Sequence, residues 1–264
     1  MIRTLWKGTL SFGLVTIPVG LYTAVEDRSP SFRQLRASDH SRVGNRRVAK
    51  ADGEEVDYDD IVKGFEYERD RYVVFDADEL AALRPRSSRM IEIQQFVPRE
   101  QIDPIYFAHS YYLAPEPAGA KAYALLREAM ADRSAVAVCK ITLRDKEHLA
   151  TLRLRDGILV LETMHWPDEI RTLTLKDAGV DEVPEPSDRE VKMAQSLIES
   201  LTEDFDPSQF RDTYRDRILD AVQAKVDGQE IVAADSEEPA TVVDLMEALR
   251  RSVEQSKGRK EATG

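Results

Sequence analysis

Residues 134–166, SAVAVCKITLRDKEHLATLRLRDGILVLETMHW, confine the chain to a β architecture more tightly than any other stretch. Three runs alternate apolar and polar side chains at a period of two, the pattern of strands with one face buried. Turn signals separate them at Arg144–Glu147 and at Asp156-Gly157, and Asp-Gly is the favoured two-residue hairpin turn. An antiparallel meander is predicted. Cys139, between Val138 and Lys140, is expected to point inward as a small hydrophobe.

The front of the chain, LWKGTLSFGLVTIPVGLYTA over residues 5–24, carries a single charge, Lys7. A membrane helix needs about twenty predominantly apolar residues, and an export signal needs an unbroken apolar centre followed by a cleavage site. Gly, Ser, Thr and Pro interrupt this run, and no later run approaches membrane length. Leu10, Phe12 and Leu14 alternate on one parity; Val15, Ile17, Val19 and Leu21 alternate on the other. A strand pair follows, with a bulge or sharp bend at Leu14–Val15 such as a closing sheet requires. Arg71–Phe75 and Met90–Val97 read as further strands, with a short helix after Phe75 stopped by Pro85.

Helices are inserted or appended. Residues 117–133 place Ala122, Leu125, Leu126, Ala129 and Met130 on one stripe. Ser187 and Glu190 form a capping box ahead of Val191, Ala194, Ile198 and Leu201. Asp206-Pro207 reads as the start of a second helix through Phe210, Tyr214, Ile218 and Val222, ending at Gly228. An acidic linker over 227–240 leads to a last amphipathic helix capped by Thr241 and Asp244, with Val242, Leu245, Met246, Leu249 and Val253 on one face. The expected fold is mainly β with α: an antiparallel barrel over 1–185, a helical arm over 186–228, and a linker, helix and short basic tail over 229–264.

The single cysteine excludes a disulfide framework and a cysteine-rich zinc site, and fits a reducing cytoplasm. No P-loop, dinucleotide fingerprint, HExxH or GxSxG is present. His40, His109, His148 and His165 stand in unrelated segments without ligand spacing. The chain is therefore expected to bind rather than catalyse, with no cofactor and no metal.

Net charge is −12, which argues at first against nucleic acid, but it is segregated. Residues 1–50 carry +6, 51–80 carry −9, 81–180 carry +1 and 181–264 carry −10. A phosphate backbone responds to the local patch. Within SRVGNRRVAKADGEEVDYDDIVKG, residues 41–64, one limb holds Arg42, Arg46, Arg47 and Lys50. An Asp52-Gly53 turn follows, and the returning limb holds Glu54, Glu55, Asp57, Asp59 and Asp60. Strands charged on both faces cannot line a core, so a projecting β-hairpin is predicted, its basic run extended upstream by Arg28, Arg33 and Arg36. Basic residues also protect exposed edges from strand pairing, yet four in nine on one limb exceed that need. A phosphate contact surface is the functional alternative. No recognition-helix pattern is present, so backbone contact is expected rather than base readout.

Six blocks together resemble one family, the bacterial Ku proteins of DNA end joining. They are Trp6-Lys7-Gly8 with LSFGLVTIPV (Leu10–Val19), VKGFEY (Val62–Tyr67), IDPIYF (Ile102–Phe107), YYLAP (Tyr111–Pro115), YALLREA (Tyr123–Ala129) and DLMEALRRSV (Asp244–Val253), in order. The resemblance implies a β-barrel core with a helical arm, paired as a homodimer whose bridging hairpins close a ring around duplex DNA. It implies sequence-independent loading onto double-stranded DNA ends in non-homologous end joining, in the bacterial cytoplasm at the nucleoid. It also implies recruitment of a multifunctional ligase, DNA ligase D, through the C-terminal region. On this sequence the bridge would be 41–64, and the phosphate contacts Arg33, Arg36, Arg42, Arg46, Arg47 and Lys50, with Lys63, Arg84 and Arg86 as further candidates. The ligase-recruiting face would be Val242, Leu245, Met246, Leu249, Arg250 and Val253. The lysine-rich tail of some family members is here reduced to Lys257, Arg259 and Lys260. Two other readings stay open on the residues alone: a scaffold whose arginine limb binds an acidic protein, and a metal-assisted nuclease on the acidic limb.

Overall fold

The computed structural model describes residues 3–83, 89–131, 135–229 and 248–253. In chain order the elements are β1 (Trp6–Phe12), β2 (Val15–Thr23), β3 (Lys63–Glu68), β4 (Arg71–Phe75), α1 (Ala77–Ala82), β5 (Met90–Pro98), β6 (Phe107–Pro115), α2 (Ala120–Ala131), β7 (Ala135–Leu143), β8 (Lys146–Arg155), β9 (Ile158–Met164), α3 (Asp188–Leu201) and α4 (Thr213–Val226). The described residues fall into two compact units, one within Met1–Arg28 and Arg33–Thr172, the other within Ser29–Phe32 and Leu173–Gly264.

Seven strands of the first unit close a barrel in the order β1-β2-β6-β9-β8-β7-β5. All neighbours pair antiparallel except β1 and β5, whose parallel contact at Thr9–Ser11 and Met90–Glu92 shuts the cylinder. Closure removes the exposed edges that an open sheet would present. The meander predicted for 134–166 is present as β7, β8 and β9. Both of its turns have two residues, and all four are left-handed: Arg144, Asp145, Asp156 and Gly157. That is the hairpin geometry whose twist matches the flanking strands.

The change of parity at the N-terminus proves to be a tight hairpin. Phe12 pairs with Val15 across Gly13-Leu14, with Gly13 at φ +60. Leu14 sits at the tip fully exposed, although its parity predicts burial; it belongs to the turn rather than to a strand. Leu10, Ile17, Val19 and Leu21 are wholly buried, as expected.

The barrel interior is filled by the inward parity of each strand: Leu10, Ile91, Leu113, Cys139, Ile141, Ala150, Leu152, Leu159 and Leu161 join one cluster. Helix α2 adds Tyr123, Leu126 and Met130 to it and covers one end. The Tyr123 hydroxyl donates to the Leu113 carbonyl at 2.8 Å and accepts from the Leu159 amide at 2.9 Å, tying the helix to β6 and β9. On the outer wall, Arg153 grips Glu162 through two hydrogen bonds of 2.7 and 2.6 Å, and this bond holds the guanidinium proton above its ordinary range.

In the second unit, Ser187 and Glu190 form the predicted capping box of α3. Asp206-Pro207 departs from expectation. It opens only a single 3-10 turn, Pro207–Gln209, and α4 starts afresh at Thr213 under an Asp212 cap. Phe210 has extended backbone, so the chain leaves the helical path there and the pattern of 207–212 is not continuous with α4. The stop at Gly228, φ +74, is as predicted.

Candidate nucleic-acid interface

The basic stretch lies outside the barrel wall, between β2 and β3, on backbone that is neither helix nor ladder. Instead of one long hairpin over 41–64, two small loops form. The first is closed by a bridge between Leu35 and Arg42 and by the Arg36 amide donating to the Ser41 carbonyl at 2.8 Å. Asp39 stiffens its turn by accepting from the Ser41 amide and hydroxyl, which holds its carboxyl below the usual carboxylate range. The second loop is closed by a Val48–Glu55 bridge, with the Ala49 amide donating to the Glu54 carbonyl at 2.8 Å. Its tip is Asp52-Gly53, with Gly53 left-handed at φ +78 as the dipeptide predicts. Charge on both faces gives no apolar side to bury, so pairing stops at single bridges.

This geometry sorts the predicted contacts into three groups. Arg33 and Arg42 line one concavity of about 340 Å³ with Gln34, Val43 and Gly44. Neither they nor Lys50 and Lys63 form an ion pair with another described residue. Arg36 is held by Asp39 at 3.5 Å and Arg46 by Glu55 at 2.9 Å. Arg47 lies over the Tyr58 ring at 4.9 Å, a cation–π contact that fixes its guanidinium. Exposed ion pairs of this kind are worth about 0–1 kcal/mol, so a phosphate can replace the carboxylate at small cost. All of these side chains are exposed.

Lys63 opens β3, which pairs only with β4 in a separate two-stranded sheet. Phe65 and Val73 face one another there and are 65% and 45% exposed; Tyr72 and Val74 are exposed on the same ribbon. Arg84 and Arg86 lie outside the described residues, as do Val242, Leu245 and Met246. Leu249, Arg250 and Val253 fall in helical residues 248–253, with Leu249 and Val253 half-buried and Arg250 exposed. On the acidic limb, Tyr58–Asp60 makes one 3-10 turn. Among the described residues no group of three or more His, Cys, Asp or Glu is arranged to hold a metal ion. No described helix is long and apolar enough to cross a membrane.

One grouping was invisible in sequence. His109 and His148, unrelated by spacing, meet at the end of the barrel opposite α2, in a cavity also lined by Trp6, Tyr111, Arg144 and Lys146. The available signal is parity: Lys146 and His148 share the register of Ala150 and Leu152, so they continue the inward face of β8.

Residues 11–193 match the family model of Ku, described as the Ku70/Ku80 beta-barrel domain. The non-homologous end joining protein Ku of Frankia casuarinae is 49% identical over 253 residues, 96% of this chain and 63% of the relative. Less than two thirds of that relative is therefore spanned. Non-homologous end joining protein Ku 2 of Saccharopolyspora erythraea is 46% identical over 97% of this chain and 85% of its own length. The Ku protein of Desulfitobacterium hafniense is 44% identical over 96% and 87%.

Proposed function

The chain belongs to the Ku family of β-barrel proteins, and from that premise we propose that it binds the ends of double-stranded DNA irrespective of sequence, in non-homologous end joining. The observation that carries the reading is the exposed cationic stretch from Arg33 to Lys50, held on loops that contribute nothing to the barrel core. Arginine and lysine on irregular backbone offer charge and multiple donors to phosphate oxygens, and no element fitted to read base edges. The protein acts without chemistry of its own.

Two copies form the ring. A two-stranded ribbon is marginally stable on its own, and β3–β4 carries Phe65 against Val73 open to solvent; a second copy is the occupant that would bury them. The loops at 41–64 bridge around the duplex, residues 186–228 serve as an arm, and residues 241–255 recruit DNA ligase D. A ring retains DNA by topology while arginine and lysine supply affinity through counterion release. The acidic remainder of the chain discourages adhesion to the side of intact duplex.

The test is a gel-shift competition between one duplex in linear form and the same duplex as a relaxed closed circle. Preference for the linear form, abolished when both ends are blocked by bulky hairpins, is expected. Equal binding to both would mean a side-on patch and refute the ring. No binding to either would leave a protein scaffold.

A further inference from the structure

The open end of the barrel has the walls of a binding site that the duplex-binding loops do not use. On β6, β8 and β9 the inward parity is apolar until this end, where it changes character. On β8, Leu152 and Ala150 give way to His148 and Lys146; on β9, Leu159 and Leu161 give way to Thr163; on β6, Leu113 and Tyr111 lead to His109. A slip in the pairing of β6 with β9 between Phe107 and Ser110 re-aims the chain at His109. Thr163 fixes that position, its hydroxyl accepting from the His109 amide at 3.1 Å and donating to the His109 carbonyl at 3.3 Å. The result is a cavity of about 550 Å³, within the range of small-molecule sites, which occur in the mouths of barrels.

Its lining divides into two kinds. Trp6 and Tyr111 are partly buried and packed against the core, so their rings are fixed. The indole lies over Gly8, where a β-carbon would collide with the ring and with the Arg89 carbonyl. Around these aromatics stand Arg144 and Lys146, from the β7–β8 turn, and the imidazoles of His109 and His148. Among the described residues no carboxylate lines the cavity. Two permanent cations and two imidazoles converging beside planar aromatic walls suit a ligand that is itself planar at one end and anionic at the other. Bases stack on aromatic side chains whatever their sequence, and arginine and lysine take phosphate oxygens.

We propose that this barrel mouth binds a nucleoside phosphate, with the base against Trp6 and Tyr111 and the phosphate on Arg144, Lys146 and the two histidines. The site shares no residue with the stretch from Arg33 to Lys50 and does not depend on the duplex-binding reading. The same chemistry is offered by a free mononucleotide and by the terminal nucleotide of a DNA strand.

Isothermal titration calorimetry on the full chain separates these. Adenosine 5′-monophosphate is expected to bind saturably, with adenosine and inorganic phosphate each at least about tenfold weaker, since each satisfies half of the site. Reversing both turn cations, Arg144→Glu with Lys146→Glu, should weaken the monophosphate at least about tenfold, while Arg99→Glu leaves it unchanged. If the double variant does not retain the wild-type unfolding transition, Lys146→Gln alone should still weaken binding about threefold to fivefold. A 5′-phosphorylated trinucleotide that binds at least as tightly as the monophosphate assigns the site to a strand terminus; binding of the monophosphate alone assigns it to free nucleotide. No saturable binding, adenosine as tight as its monophosphate, or affinity retained after charge reversal would each overturn the proposal.

Discussion

Tyr123 and Cys139 define what single side chains do for this barrel. The Tyr123 phenol is buried, which pushes its ionisation upward, and it is bonded on both sides, to Leu113 and to Leu159. Tyr123→Phe keeps the ring but orphans a backbone carbonyl and an amide, so unfolding in urea should show a loss of about 1–3 kcal/mol. Cys139 is wholly buried on β7, and burial alone pushes its thiol up to about 12. In the unfolded chain a thiol ionises near its ordinary value of about 8.5. The neutral thiol's contribution is therefore complete below that value and is lost as pH rises through the window toward about 12, at about 1.4 kcal/mol per unit. Measured from about pH 9 upward, wild type should lose stability relative to Cys139→Ala with that slope. The inward direction of Cys139 was legible from alternation. The double hydrogen bond of Tyr123 was not, because its partners lie 10 and 36 residues away.

Among the elements, the two small loops between β2 and β3 carry the proposed duplex contacts. Arg42 forms no ion pair with another described residue, so Arg42→Ala should lower duplex affinity evenly across sequences. It should also reduce the slope of log affinity against log salt by about one. Arg46 is engaged by Glu55 at 2.9 Å. Glu55→Gln frees it and removes a competing negative charge, so duplex binding at low salt should strengthen by about twofold to fivefold, as an exposed pair of about 0.2–1 kcal/mol allows. Both effects are read from salt-dependent fluorescence anisotropy on two unrelated duplexes. The basic run and its Asp52-Gly53 tip were legible in sequence. Which cations were already paired was not, since a pair such as Arg46–Glu55 depends on the register of the loop.

For the whole molecule, the proposed pairing of two copies rests on the ribbon β3–β4. It shares no strand pairing with the barrel, so a substitution there tests assembly without touching the core. Phe65→Asp, on the face it shares with Val73, should shift the light-scattering mass on size exclusion from a dimer to the 29.9 kDa of one chain, with the thermal transition of the barrel retained. The same variant should lose its preference for linear over circular duplex, because an open half-ring does not retain DNA by topology. An unchanged dimer mass would remove the ribbon from the subunit interface.

Local pattern was enough to specify the strands β7 to β9, the left-handed Asp156-Gly157 turn and the capping box of α3. Each rests on neighbours no more than a few residues apart, where alternation, φ preference and side-chain capping act directly. Tertiary structure alone decided the rest. The parallel contact of β1 with β5 closes the barrel, α2 covers one end, and the other end gathers His109, His148, Trp6 and Tyr111 from three strands. The physical reason is closure itself: residues far apart in the chain become neighbours only once the sheet meets its own first strand, and no local periodicity encodes that meeting.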